Sequence, residues 1–269
     1  MVTTPERSSD DASADGRATP TRTPSMLVRR MRDRQTYDPG QLAEILADGY
    51  IAHVGMVRDG LPVVLPYIYA IGDIGDLGDG PRLLLHGSTG GGAFVQAGAE
   101  GMPVAVTITH LDGLVYARST HDSSANYRSA MVFGRATPVP AEQRAEALWV
   151  VADHIMPGRR AEVREMTTKE IAATQVLQLP LDTVSVKVRH HGPGEAVDDG
   201  ENHNVWAGVL PLSIRAGLPQ TSELTASVEV SPSVLAVAAK LASKAHDREK
   251  QPIKISTSSN ASTNPTNRD

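Results

Sequence analysis

The stretch YIAHVGMVRDGLPVVLPYIYAI, Tyr50–Ile71, decides the fold. Tyr50 to Arg58 is rich in apolar and β-branched residues, and Leu61 to Ile71 returns in the same style. Between them sits Asp59-Gly60, the pair that tolerates the two positive φ angles of a tight hairpin turn. Pro62 and Pro66 withhold backbone N–H groups, so the returning strand is predicted to be an edge, or bulged near the prolines. Two strands joined with no helix between them argue against a doubly wound parallel sheet and for an antiparallel one.

Working outward, Asp38 caps a short helix from Pro39 to Ala47, which Gly49 stops. Beyond the hairpin, GDIGDLGDGP (72–81) reads as a loop, Arg82 to Gly87 as a strand, and residues 93–98 as a short helix. PVAVTITH (103–110) and LVYARS (114–119) are predicted to form a second hairpin across Leu111-Asp112-Gly113, followed by a strand from Ser129 to Thr137. Ala141 to Ile155 places Leu148, Val151, Ala152 and Ile155 on one helical face. TTKE, from Thr167, is a capping box opening a helix that ends by Thr174. VLQLPLDTVSVKVRH supplies one last long strand. At least six strands with few helices give a mainly β fold, an antiparallel barrel with helical additions.

The chain divides into three parts. Residues 1–25 are Ser-, Thr-, Pro- and Asp-rich and read as a disordered arm; 26–218 is the folded unit; 219–269 is a helix plus a polar tail. Ser231-Pro232 starts that helix, with Val234, Val237, Ala238 and Leu241 on one face.

Composition narrows the function. The 269 residues carry a net charge of −5 and only 4% aromatic side chains, which argues against nucleic acid and anionic membranes as partners. With no cysteine there is no disulfide, thiolate metal site or cysteine nucleophile. No N-terminal apolar run resembles a secretory signal, and none elsewhere approaches the roughly 20 residues of a membrane span. A cytoplasmic, soluble protein is expected, with no metal: neither the His190-His191 and His203 loop nor GDIGDLGDG has a convincing ligand pattern.

Two segments carry candidate chemistry. HGSTGGG (86–92) follows a strand, so its backbone N–H groups and the Ser88 and Thr89 hydroxyls suit an anion; it lacks the GK[ST] of a nucleotide-triphosphate loop. Asn126-Tyr127-Arg128 opens an apolar strand, with a guanidinium for a phosphate and a ring for stacking.

In order along the chain, VRDGLPVVLPYIYA, LLLHGSTGG, PVAVTITHLDGLVYARS, NYRSAMVFGRA and KVRHHGPGEAVDDGENHNVWAGVLPL resemble the pyridoxamine 5′-phosphate oxidase-like superfamily. The resemblance is to its flavin-nucleotide-binding, nitroimidazole-resistance branch and runs from about Arg30 to Leu218. It implies an FMN-binding split β-barrel working as a homodimer, with the flavins in clefts between subunits. Leu65, Pro66 and Tyr67 would then line the flavin ring, Gly87, Ser88 and Thr89 hold its phosphate or ribityl chain, and Asn126, Tyr127 and Arg128 close the site. Trp206 would pack on the cleft and His86 would be catalytic. Related sequences usually place an Arg or Lys soon after HGST; here Gly90 to Phe94 bring no cation, which leaves Arg128 or Lys187 to meet the phosphate. The implied activity is reduction of a small planar acceptor, nitroaromatic or quinone-like, by NAD(P)H bound transiently over the flavin. The alternatives are a non-catalytic FMN-binding or sensing dimer, and a haem-binding split barrel with His86, His110 or His121 as axial ligand.

Overall fold

The computed structural model describes residues 34–74, 80–90, 92–194 and 204–250. The expected disordered arm, the polar tail after Pro252, most of GDIGDLGDG and the acidic part of the His190–His203 loop lie outside these residues.

The deciding hairpin forms as read. β2 (Ile51–Arg58) and β3 (Leu61–Gly72) pair antiparallel from Ile51↔Ile68 to Arg58↔Leu61. Asp59 and Gly60 both take positive φ, 51° and 77°, as a type I′ turn demands. β4 (Arg82–Ser88) joins β3 only over Tyr69–Gly72. The half of β3 carrying Pro62 and Pro66 therefore has β2 as its single ladder partner, and the missing N–H groups break no ladder on the open side.

β5 (Met102–Tyr116) and β6 (Ser124–Pro138) form the longest pair, and β7 (Thr174–Pro180) seams β4 to the far end of β6. The ring β2–β3–β4–β7–β6–β5 closes on itself, because β5 also pairs with β2. β8 (Val184–Arg189) adds to β6, β1 (Gln35–Thr36) to β8, and β9 (Gly208–Pro211) to β5. Two expectations are corrected. The segment 102–116 is one strand, not a hairpin: Leu111-Asp112-Gly113 is a bulge in a ladder that β6 follows on both sides. The expected last long strand is two strands, β7 and β8, which join different neighbours either side of Leu181–Thr183.

Inward residues alternate along every strand and fill the barrel: Val54, Tyr69, Leu83, Leu85, Val106, Ile108, Val132 and Leu179 are all essentially inaccessible. α1 (Pro39–Asp48) packs Ile45 and Leu46 into one mouth, where the Tyr69 hydroxyl donates to the Leu46 carbonyl at 2.7 Å. α2 (Gly92–Ala97) plugs another part of the core with Phe94 and Ala97. α3 (Arg144–Ile155) covers a second apolar cluster on the outside of β3, β4 and β7, built on Ala70, Leu84, Val151 and Val176. α4 (Thr168–Ala173) has the capping box in full: Thr167 Oγ1 accepts from Glu170 N, and the Glu170 carboxylate accepts from Thr167 N. α5 (Pro232–Lys250) lies back on the barrel. Val237, Ala238 and Leu241 face inward as expected, whereas Val234 is exposed.

Candidate functional site

The pleat sorts the candidate residues into three groups. On the inner side of β3 and β4 lie Leu65, Tyr67 and Gly87, on the faces that carry Tyr69 and Leu85. A Cβ on Gly87 would stand 2.3 Å from the Phe94 ring, and the Tyr67 ring meets Phe94 edge-on at 5.5 Å. Glycine is required at 87 by this close approach.

Arg58 joins this group, a residue that no motif singled out. It ends β2 on the same face as Met56 and reaches the glycine-rich loop: a Cβ on Gly92 would meet Arg58 Nη2 at 2.7 Å and Cζ and Nη1 at 2.9 Å. The guanidinium thus lies flat over Gly92. Its ion pair with Asp59, at 3.9 Å, is loose and exposed. Burial raises the pKa of the Tyr67 phenol, and the positive charge of Arg58 opposes that rise. Gly90 to Phe94 bring no cation, and Arg58 brings one to the loop from the end of β2.

Within the loop the donors are partly committed. Thr89 gives both its N–H (3.0 Å) and its hydroxyl (3.2 Å) to the Ala173 carbonyl, fixing the loop to the end of α4. Gly90 N–H donates to Ser88 Oγ at 3.2 Å, which leaves the Ser88 hydroxyl hydrogen to point elsewhere. This cradle, shaped by glycines and faced by Arg58, suits a phosphate better than a neutral group.

A second group sits on the outer face. Pro66, His86 and Ser88 alternate with the inner residues, and continuing the Tyr69↔Leu85 register sets His86 beside Ile68 and Ser88 beside Pro66. His86 Nδ1 is buried with no hydrogen-bond partner among the described residues. Burial holds the imidazole pKa below its usual value, so the ring rests neutral near pH 7. Tyr127 and Lys187 share this outer side: the row Pro66–His53–Thr107–Met131–Ser185 runs across five strands, with Ser129 opposite Lys187 beside it. Much of the face is apolar and uncovered, Val64 at 63% and Ile51 at 45% exposure. Trp206 lies farther out, 66% exposed, tilted against Tyr116 at 5.9 Å.

Asn126 and Arg128 form the third group, at the mouth under α1 and α5. Asn126 is buried and its Oδ1 accepts from Arg189 and from His191 N. Arg128 is fully engaged, by Asp112 (Nε at 2.9 Å, Nη2 at 3.2 Å) and by Asp48 and Glu44 (Nη1 at 3.1 Å each). These contacts leave it poorly placed to serve a phosphate at the glycine loop. Lys244 and Arg248 of α5 bind Asp48, and Arg248 also binds Asp112. Burial pushes the Asp48 carboxyl up, but Lys244 and Arg128 together hold it below the usual range. At Asp112 burial prevails over Arg128, and its pKa is raised. A pocket of about 420 Å³ adjoins this cluster, walled by Val188, Val209 and Pro211 on one side and by Arg128, Arg189 and His190 on another. His190 Nε2 is buried there without a hydrogen-bond partner among the described residues. His110 is occupied, Nε2 donating to the Ile45 carbonyl at 2.9 Å, and His121 is exposed.

With this geometry, comparison with known proteins is decisive. The model of the pyridoxamine 5′-phosphate oxidase family matches residues 38–188, from the cap of α1 to the end of β8. The chain belongs to the pyridoxamine 5′-phosphate oxidase family. Among solved members of similar fold, the FAD and haem binding protein from Mycobacterium smegmatis is 38% identical, with a TM-score of 0.69, over 76% of this chain and 97% of that one. The flavocytochrome Anf3 from Azotobacter vinelandii is 32% identical, also with a TM-score of 0.69, over 78% and 94%. A putative 5-nitroimidazole antibiotic resistance protein from Bacteroides thetaiotaomicron aligns at 19% identity and a TM-score of 0.47, over 57% and 86%. No curated protein matches the chain. The family's split barrel is the ring described above. Members of that barrel at 30% identity or more thus include proteins named for flavin and haem together.

Proposed function

We propose that the protein is a flavin-binding redox homodimer that reduces a small planar acceptor, nitroaromatic or quinone-like, at the expense of NAD(P)H. The observation that carries this is the Arg58 guanidinium lying over Gly92, beside the loop His86–Gly90. Arg58, the Ser88 hydroxyl and the loop would hold the flavin phosphate. The uncovered outer face around Pro66, Ile68 and His86 would take the ring, with Tyr127 and Lys187 on the same side. A bound flavin supplies hydride and electron transfer, and the protein sets orientation and electrostatics. His86, neutral at working pH, would relay a proton to the reduced acceptor, giving one up from one ring nitrogen as the other takes one from solvent. A second subunit seated on the outer face would exclude water from the ring. The Mycobacterium smegmatis relative, 38% identical and named for FAD, favours FAD over the FMN expected from sequence. No helix among the described residues is long and apolar enough to cross a membrane. The reading places the protein in the cytoplasm.

The test is an absorbance spectrum after loading with FMN or FAD and desalting, followed by anaerobic NADPH. Retained flavin bands that bleach support the enzyme. Bands that persist under NADPH and NADH point to a sensing dimer, and a colourless protein overturns the flavin reading.

A second reading adds haem, because both relatives above 30% identity are named as flavin–haem proteins. His190 is the residue that would hold the haem iron: it lines the pocket with Val188, Val209 and Pro211, and its Nε2 has no hydrogen-bond partner among the described residues. A Soret band on adding hemin, absent in His190→Ala, would establish it.

A further inference from the structure

α5 is a 19-residue helix that buries little apolar surface: its fully buried residues are Ser233 and Ala245, Val237, Ala238 and Leu241 are half-buried, and Val234 and Leu235 are 40% and 53% exposed. Polar ties hold it at both ends. At its start, Glu162 accepts from Ser233 N at 2.8 Å and from Ser233 Oγ at 2.6 Å, and Arg159 reaches both Glu162 (2.8 Å) and Ser231 Oγ (2.9 Å). Towards its end, Lys244 and Arg248 enter the carboxylates of Asp48 and Asp112, and Glu249 pairs with Arg215. On the barrel side, Glu44, Asp48 and Asp112 all bind Arg128, three carboxylates on one guanidinium. The two cations of α5 bring the cluster to neutrality. Asp48 and Asp112 nonetheless keep Arg128 as a partner when α5 is away, so lifting the helix orphans neither carboxylate.

We propose that α5 is an ionic strap over the 420 Å³ pocket, opening as a unit when salt screens its charges while the barrel stays folded. Lys244, Asp247 and Arg248 line that pocket, and Leu241 and Ala245 close the smaller crevice beside it against Ala47 and Tyr50. The barrel core is apolar and gains nothing from low salt, whereas the strap's attachment is charge on charge. At 1 M salt the screening length falls to about 3 Å, from about 10 Å at 0.1 M, and it acts from the side of Lys244 and Arg248, whose side chains are 39% and 26% exposed. The strap would thereby govern entry to the pocket assigned above as the second cofactor site. It stands whether or not haem is what enters.

The chain has no cysteine, so a single introduced thiol reports cleanly. Val209→Cys places it on the pocket wall and Lys169→Cys, on exposed α4, serves as control. In the full chain, labelling of Cys at 209 by 5,5′-dithiobis(2-nitrobenzoate) should rise at least tenfold relative to the control between 0.1 M and 1 M NaCl. It should already be fast at 0.1 M when Lys244→Ala and Arg248→Ala are added. Hydrogen exchange should show α5 amides losing protection under the same conditions, with β2–β7 unchanged. Equal labelling at both salt concentrations, or loss of protection in α5 and the barrel together, overturns the proposal. Because neither readout uses flavin or haem, failure of those readings leaves this test intact.

Discussion

Arg58 is joined to the glycine loop by approach rather than by a hydrogen bond, and that makes it a clean position to alter. Arg58→Ala removes a charged donor from the phosphate cradle, a change of about 1.5–3 kcal/mol, so flavin affinity should fall about 10- to 100-fold in a fluorescence titration. Arg58→Lys should recover only part of this, since a point charge cannot lie flat across Gly92. Gly87→Ala drives a methyl group into Phe94, where 2.3 Å is available, and should cost about 1–3 kcal/mol in urea unfolding. His86 adds a pH signature. Its folded pKa lies below the unfolded value of 6.5, so between the two the unfolded chain binds the extra proton and stability falls as pH drops. Unfolding followed at pH 8 and pH 5.5 should show a smaller pH loss in His86→Gln than in the parent protein.

At the scale of elements, the capping box of α4 fastens more than a short helix, because the helix ends at Ala173, the residue that holds Thr89. Thr167→Ala should destabilise the protein by about 0.5–2 kcal/mol. It should also speed exchange of the Thr89 amide, which hydrogen exchange would read. The box was legible because its partners are three residues apart, and the β2–β3 hairpin was legible because its turn needs two residues of defined φ. Leu111-Asp112-Gly113 misled for the same reason inverted: the local turn chemistry is genuine, but β6 pairs on both sides of it and the ladder overrides the turn. The break between β7 and β8 was hidden because both halves are apolar and alternating, and only their different neighbours separate them. Arg58 against Gly92, and Asp48 against Lys244, join residues far apart in the chain, so no local pattern announces them. The glycine-rich loop was legible in its residues; the Arg58 guanidinium that lies beside it was not.

For the whole molecule, the uncovered outer face sets the expectation of self-association. Ile51, Val57, Val64 and Ile68 stand on one side of a sheet at 38–63% exposure, more apolar surface than a lone soluble barrel usually leaves bare. Two copies meeting through this face would bury it by two-fold symmetry and bring the flavin floor to the interface. Val64→Glu should shift the protein to a 28.6 kDa monomer in light scattering and lower flavin retention with it. If the monomer retained flavin at full affinity, the site would belong to one subunit alone.

The ring closes where β4 meets β7, Arg82 opposite Pro180 and Ser88 opposite Thr174. During synthesis, the β2–β3 hairpin and the β5–β6 pair are available early, since each joins neighbours in the chain. β4 must wait with one side unpaired until residue 180 has left the ribosome, while β5, β6 and the helices α2, α3 and α4 are made behind it. Long-range closure of this kind is the slow step of β-barrel folding. From residue 88 to residue 180 of the 269, the newborn chain therefore carries an open, apolar strand edge, and its yield in the cell should depend on what shelters that edge.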